Sequence, residues 1–196
     1  FPMAISGVSG SVVALDGMAL SEPRPMTELT LAPAQRTDLI VDVAGPVGFA
    51  MLTRQGPYRL ADLAVSGTNT GRQVGPIMAL SPPNLPTPAD PMQHLTLTMM
   101  GGAMGGRHDG DNIWAFNNVS DLQADPFGSF QNGETVRITL ANDTSFPHGI
   151  HLHGHHFYEV DQSGALGDLR DTTLVNAGES RDVICVFDNP GRWLLH

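Results

Sequence analysis

The sequence is short of cysteine, of basic residues and of any long apolar run, and each shortage narrows what it can be. One cysteine, Cys185, stands among 196 residues. Neither an internal disulfide nor a thiolate zinc cluster can therefore form within the chain. Lysine and arginine total 10 against 20 acidic residues, a formal net charge of -10, and the basic residues are scattered. Nucleic-acid affinity rests largely on clustered Lys and Arg that neutralise phosphates, so no nucleic-acid partner is expected. No stretch is long and apolar enough to span a bilayer. The chain opens on Phe1-Pro2-Met3 with no targeting signal and closes on Trp193-Leu194-Leu195-His196 within an apolar run, so both ends read as cuts through a longer protein. No long capped helical pattern occurs; a short helical turn is expected only at Asp168 to Asp171. No histidine precedes His94.

What is present points to an all-β protein. Apolar residues make up 41% of the chain, enough for a globular core, and Gly (22) and Pro (15) are abundant among many short apolar runs. Leu95, Leu97 and Met99 alternate with Thr96 and Thr98, and Val136, Ile138 and Leu140 alternate with Arg137 and Thr139, as in half-buried strands. Leu29 and Leu31 flank Thr30 in the same way. Leu39 to Val43, Phe49 to Leu52 and Val183 to Phe187 are more continuously apolar and are expected between two sheets. Turn signals separate these runs at Asp16-Gly17, Asn132-Gly133, Asn176-Ala177-Gly178 and Asp188-Asn189-Pro190-Gly191. Residues 81–91, Ser-Pro-Pro-Asn-Leu-Pro-Thr-Pro-Ala-Asp-Pro, form an expected linker of extended geometry. It divides the chain into residues 1–80, with four or five candidate strands and too few to close a sandwich alone, and residues 92–196, with nearly the strand count of a small sandwich.

Eight histidines occur, five of them between positions 148 and 156. On a regular strand, side chains alternate between faces, so His151, His153 and His155 would point one way and His148 the other. One short segment can then feed two sites. Imidazole binds copper, zinc, iron and nickel through one ring nitrogen, while the other usually needs an acceptor. Pro147 keeps the entry extended, and Gly149 and Gly154 permit close approach of backbone or metal. His155 and His156 are readable as supporting or core residues, and the plainest alternative for the whole run is an incidental or zinc-binding strand.

The run Phe146-Pro147-His148-Gly149-Ile150-His151-Leu152-His153-Gly154-His155-His156-Phe157 resembles the third copper motif of multicopper oxidases, H-P-x-H-L-H-G-H-x-F, with Gly149 in place of the usual proline. Arg170-Asp171-Thr172, Asn176-Ala177-Gly178-Glu179-Ser180 and Phe187 to His196 resemble the approach to the family's fourth motif, H-C-H, with His196 as its first histidine. Residues 1–80 resemble the tail of the family's middle domain. The resemblance implies cupredoxin-like Greek-key β-sandwich domains. The first would be the partial, copper-free middle domain of a three-domain, laccase-like oxidase. The second would be the C-terminal copper domain, cut at the H-C-H motif. It further implies that His148 binds the type 1 copper, His151 the type 2 copper, and His153 and His196 the type 3 pair, with His155 outside the ligand set. The implied activity is one-electron oxidation of a phenol, aromatic amine or metal ion at type 1 copper, coupled to reduction of dioxygen to water at the trinuclear cluster. The implied partners are dioxygen, a small reducing substrate and the remaining domains of the same protein, and the implied location is periplasmic or extracellular. The rival reading is a copper-free cupredoxin-repeat protein with a structural or interaction role; a copper nitrite reductase shares the fold but would not be expected to pack a complete H-x-x-H-x-H-G-H run before an H-C-H motif.

Cys185 lies in Val183-Ile184-Cys185-Val186-Phe187 with no flanking histidine, so it reads as a core residue and not as the blue-site thiolate. Met99, Met100, Met104 and His108 offer soft donors, although a strand end running into a glycine-rich loop is the simpler reading. Trp114 and Trp193 are expected in the core, and His94 is given no role.

Overall fold

A computed structural model of the protein describes residues 1–27, 29–68, 71, 75–102 and 114–196. The described residues contain strands and no helix. They form two compact units, Phe1–Pro83 and Asn84–His196, so the division falls inside the proline-rich segment. The latter part of that segment packs on the second unit, where Ala89 N donates to Thr135 Oγ1 at 3.0 Å and Met92 N donates to Thr135 O at 3.0 Å.

The first unit is one antiparallel sheet of β1 (Pro2–Leu15), β2 (Met18–Pro25), β3 (Leu29–Thr30), β4 (Thr37–Thr53) and β5 (Gly56–Leu63), in the order β2-β1-β4-β5 with β3 also on β1. The β1–β2 hairpin turns through Asp16 and Gly17, both at positive φ (52° and 79°), as a two-residue hairpin turn of matching twist requires. Asp16 Oδ1 then accepts from Arg36 N at 2.8 Å, which holds the start of β4 beside the turn. The core here is small: Val12, Leu15 and Leu20, backed by Leu29 and Leu39. Leu39 to Val43 and Phe49 to Leu52 belong to the single strand β4, and only Val47 in it is fully buried. The expectation that these runs lie between two sheets is thus corrected: the described residues of 1–83 supply one sheet, and both runs lie in it.

The second unit carries a six-stranded sheet in the order β11-β10-β13-β8-β6-β7. Its strands are β6 (Gln93–Gly101), β7 (Trp114–Phe116), β8 (Glu134–Asn142), β10 (Phe157–Val160), β11 (Leu166–Arg170) and β13 (Ser180–Phe187). Only β6 and β8 run parallel to each other within it. A two-stranded sheet of β9 (His148–His151) and β12 (Thr172–Val175) packs opposite. Leu97 and Met99 of β6, Val136, Ile138 and Leu140 of β8, Phe157 of β10, and Val183 and Cys185 of β13 meet Ile150, Leu152 and Val175 in one core. The period-two alternation of β8 is what makes this possible, since Val136, Ile138 and Leu140 are buried and Arg137 and Thr139 are not. The helical turn expected at Asp168 to Asp171 is corrected to strand: Arg170 pairs with Phe157 and Leu169 with Tyr158. All of this is an all-β, cupredoxin-like arrangement.

Candidate metal centre

Strand β9 is held antiparallel to β12, with His148 opposite Val175, Ile150 opposite Thr173 and His151 opposite Thr172. Ile150 and Leu152 are 2% and 4% exposed in the core. The alternation that buries them turns His151 and His153 away from it. His148 shares the parity of Ile150 but stands at the start of the strand, at the core's edge.

The last residues of the chain complete the arrangement. His151 and His196 exchange both backbone hydrogen bonds, N to O at 2.7 Å and 3.0 Å, and His153 N donates to Leu194 O at 2.9 Å. Leu152 and Leu195 are paired as an isolated bridge. This short pairing gathers three imidazoles: ring centroids lie 4.7 Å apart for His151 and His153, 5.6 Å for His151 and His196, and 5.0 Å for His153 and His196. The Nε2 atoms of His153 and His196 face each other at 2.9 Å. Among the described residues no three His, Cys, Asp or Glu side chains form a cage for a single ion. The three rings instead form one open face.

Each ring is oriented differently. His151 Nδ1 lies 3.0 Å from Asp171 O, 2.9 Å from Thr172 Oγ1 and 3.3 Å from Asp171 Oδ1. The Thr172 hydroxyl donates to Asp171 Oδ1 at 2.7 Å, so it accepts from His151. His151 therefore carries its proton on Nδ1 and keeps the lone pair of Nε2 available. Burial lowers the pKa of His196, and the neighbouring His153 and His151 lower it further. Burial likewise lowers the pKa of His148. Neutral imidazole is the metal-binding form, so both shifts favour ligation. Behind β12, Glu159 lies 3.7 Å from Arg170 Nε and 3.6 Å from Arg181 Nη1, and it accepts the Thr173 hydroxyl. That network fixes the strand supporting His151.

His148 makes a separate environment. Its ring meets the indole of Trp114 edge-on, with centroids 5.0 Å apart, and Trp114 also meets Phe146 edge-on at 5.9 Å. Trp114 is 45% exposed, which corrects its expected place in the core. Trp193, also expected in the core, is 44% exposed and lies against Gly154.

His155 does not continue the face of His151 and His153. The strand ends before Gly154, whose φ of 70° turns the chain. His155 is then buried, 4% exposed, against Phe187 at 4.9 Å. The close approach at Gly154 is to the Trp193 indole and not to a metal: a Cβ there would lie 2.4 Å from Trp193 Cδ2. Asn189 Nδ2 donates to Gly154 O at 3.0 Å and Trp193 Nε1 donates to Asn189 O at 2.8 Å, so the same turn is clasped to the chain's last segment.

Cys185 has no exposed surface and belongs to the core; burial, then the charge of Asp188, pushes its thiol up to about 12. Met99 is 2% exposed in the same core. Met104 and His108 lie outside the described residues. His94 meets Thr139 Oγ1 at 2.8 Å on the surface. In the sequence Asp171 and Thr172 belong only to a resembling stretch and are given no role, and Thr144 is not singled out; its only signal is its adjacency to the motif.

A family profile described as multicopper oxidase matches residues 86–196. Multicopper oxidase MmcO of Mycobacterium tuberculosis is 28% identical over 212 residues, covering 100% of this chain and 40% of that protein. Copper resistance protein A of Escherichia coli is 37% identical over 83 residues, 42% of this chain and 14% of that protein. Among solved structures, Lac15 from a marine microbial metagenome matches with a TM-score of 0.83 and 49% identity, over 100% of this chain and 48% of that one. A multi-copper oxidase from Pseudomonas Thermotolerans matches with a TM-score of 0.77 and 25% identity, over 100% of this chain and 47% of that one. The chain thus spans less than half the length of these relatives.

Proposed function

This chain belongs to the multicopper oxidase family, and from that premise we propose that the intact protein is a laccase-like oxidase in which His148 binds type 1 copper, His151 type 2 copper, and His153 and His196 the type 3 pair. The observation that carries the proposal is the convergence of His151, His153 and His196 from two segments onto one face, with His148 held apart on the same strand. The donor set fits copper: the rings are imidazoles, burial lowers the pKa of two of them and so favours the neutral form, and His151 has its second nitrogen satisfied by protein acceptors. An open face, and not a closed cage, suits ligands that share neighbouring ions with residues from other domains.

When bound, copper supplies the one-electron and oxygen chemistry. This chain's residues do the positioning. Asp171 and Thr172 orient His151. The pairing of 194–196 with 151–153 sets His196 against His153. His148, one strand-length away on the same backbone, keeps the electron-accepting site and the oxygen-reducing site on one rigid element. We assign phenols, aromatic amines or low-valent metal ions as reductants, dioxygen as acceptor, and a periplasmic or extracellular location. We also read residues 1–80 as part of a copper-free middle domain, 81–91 as a linker and 92–196 as the copper domain. The absence of histidine before His94 and the division at Pro83 support that reading.

The test is copper loading of the full-length protein. A blue absorption band, type 3 absorption near the ultraviolet and oxygen-dependent oxidation of a phenolic dye are expected. A preparation that stays colourless and metal-free after loading overturns the oxidase reading in favour of a copper-free structural protein.

A further inference from the structure

The proposed function leaves Asn142 and Thr144 without a role, yet both are buried, 3% and 8% exposed, at the entrance to β9. Thr144 Oγ1 lies 2.8 Å from His148 Nε2. The surrounding groups fix the direction of that hydrogen bond. Asn142 Nδ2 faces three backbone carbonyls, Phe146 O at 2.7 Å, Val175 O at 3.1 Å and Asn176 O at 3.0 Å. Carbonyls only accept, so this end of the carboxamide is the amino group and the other end is the oxygen. Asn142 Oδ1 accepts from Thr144 N at 3.0 Å and lies 2.7 Å from Thr144 Oγ1. Phe146 O lies 3.1 Å from the same hydroxyl.

A hydroxyl has one proton. If Thr144 gave it to His148, its oxygen would meet Asn142 Oδ1 lone pair to lone pair in a buried site, which is costly. The proton therefore goes to Asn142 Oδ1, and His148 Nε2–H donates to Thr144 Oγ1. His148 then carries its lone pair on Nδ1.

We propose that Thr144 is a positioning residue for the metal-binding histidine His148: anchored by Asn142, it fixes the Nε2–H tautomer and presents Nδ1 to the ion. This deepens the oxidase reading and, for its copper arm, rests on it. An acceptor on the distal N–H makes the ligating nitrogen a stronger donor, which favours the oxidised ion.

The experiment uses the full-length copper-loaded protein with Thr144→Val, which keeps the shape and loses the acceptor, and Thr144→Ser, which keeps the acceptor. In Thr144→Val the type 1 copper is expected to be lost to a chelator about 10–100-fold more readily than in the unmodified protein. Its type 1 reduction potential should rise, while the type 3 absorption stays unchanged. Thr144→Ser should match the unmodified protein. A Val variant with unaltered copper affinity and potential, or a Ser variant as impaired as Val, overturns the proposal. A separate readout needs no copper: nitrogen NMR of the metal-free, histidine-labelled protein should show His148 protonated on Nε2. A proton on Nδ1 there overturns the proposal even if the Val variant does not fold. Failure of the unmodified protein to take up copper overturns instead the oxidase reading, and the NMR result still decides the tautomer.

Discussion

Replacing Gly154 by alanine should damage both the fold and the histidine face, and Gly178 supplies the control. Both glycines sit at left-handed φ, 70° and 72°. An alanine in that region costs about 1–2 kcal/mol. A Cβ at Gly178 would meet nothing within 4 Å, whereas at Gly154 it would lie 2.4 Å from Trp193 Cδ2 and 2.6 Å from Cε2 and Cε3. Those atoms lie at and beside the ring fusion of the indole, and the ring is tied by its Nε1–H to Asn189 O. It cannot swing aside as a flexible chain end would. Forced overpacking of this kind costs a further ~1–3 kcal/mol. Gly178→Ala should therefore destabilise by about 1–2 kcal/mol and Gly154→Ala by about 2–5 kcal/mol. Urea unfolding of the chain, followed by tryptophan fluorescence, reads the difference. Displacing Trp193 also displaces Leu194, which holds His153 N, so under the proposed copper assignment the type 3 absorption of the full-length protein should fall in Gly154→Ala and not in Gly178→Ala. Equal destabilisation by the two substitutions would refute the reasoning.

Cys185, with its thiol pushed up to about 12 and no exposed surface, should resist alkylation at pH 8 in the native protein and react within minutes in denaturant; rapid native labelling, read by peptide mass spectrometry, would contradict its place in the core. Glu159→Ala leaves Arg170 and Arg181 without their shared carboxylate, and among the described residues the buried Nε of each makes no hydrogen bond that would compensate. The side chains are partly exposed, so the expected loss is about 1–3 kcal/mol by denaturant unfolding, with no change in secondary structure by circular dichroism. Glu179 has its pKa lowered: burial pushes it up, but the Asn176 backbone N–H, the hydrogen bond and charge of Arg181, and the Asn176 amide outweigh that. The unfolded chain therefore binds a proton at higher pH than the folded one. This contribution to stability is complete above the ordinary value of 4.5 and is lost as pH falls through the lowered value. Glu179→Gln should flatten the acid limb of the stability–pH curve; an unchanged slope would contradict the assignment.

The separation of His148 from His151 and His153 was legible in the sequence because it lies in strand parity. His148, His151 and His153 need only a strand to separate them, and the buried Ile150 and Leu152 supply it. The strands β6 and β8 were legible from alternation for the same reason. What was not legible depended on contacts between distant residues. His155 fits the parity of His151 and His153, but the Gly154 turn under Trp193 takes it into the core. Leu39 to Val43 and Phe49 to Leu52 read as two strands because Gly45-Pro46 separates them. The structure joins them in β4 through an irregularity in which Ser6 pairs with Gly48 and Val8 with Val43, so the extra residues bulge opposite Gly7. Asp168 to Asp171 has too little pattern of its own, and pairing with β10 decides its conformation. Thr144 is one of many threonines until the turn at 143–147 brings its hydroxyl to His148.

The pairing of residues 151–153 with 194–196 also has a consequence for the order in which the protein assembles. His153 and His196 are 43 positions apart, and strands β10 to β13 lie between them. Closing an unstructured loop of that length costs about 3 kcal/mol in chain entropy before any contact is made. Hairpin formation by the intervening strands shortens that loop. The histidine face is therefore expected to form late, once the β-sheet beneath it is in place. Tight metal uptake by this face would then report a finished fold, and a chain stalled at any earlier stage would present its histidines singly.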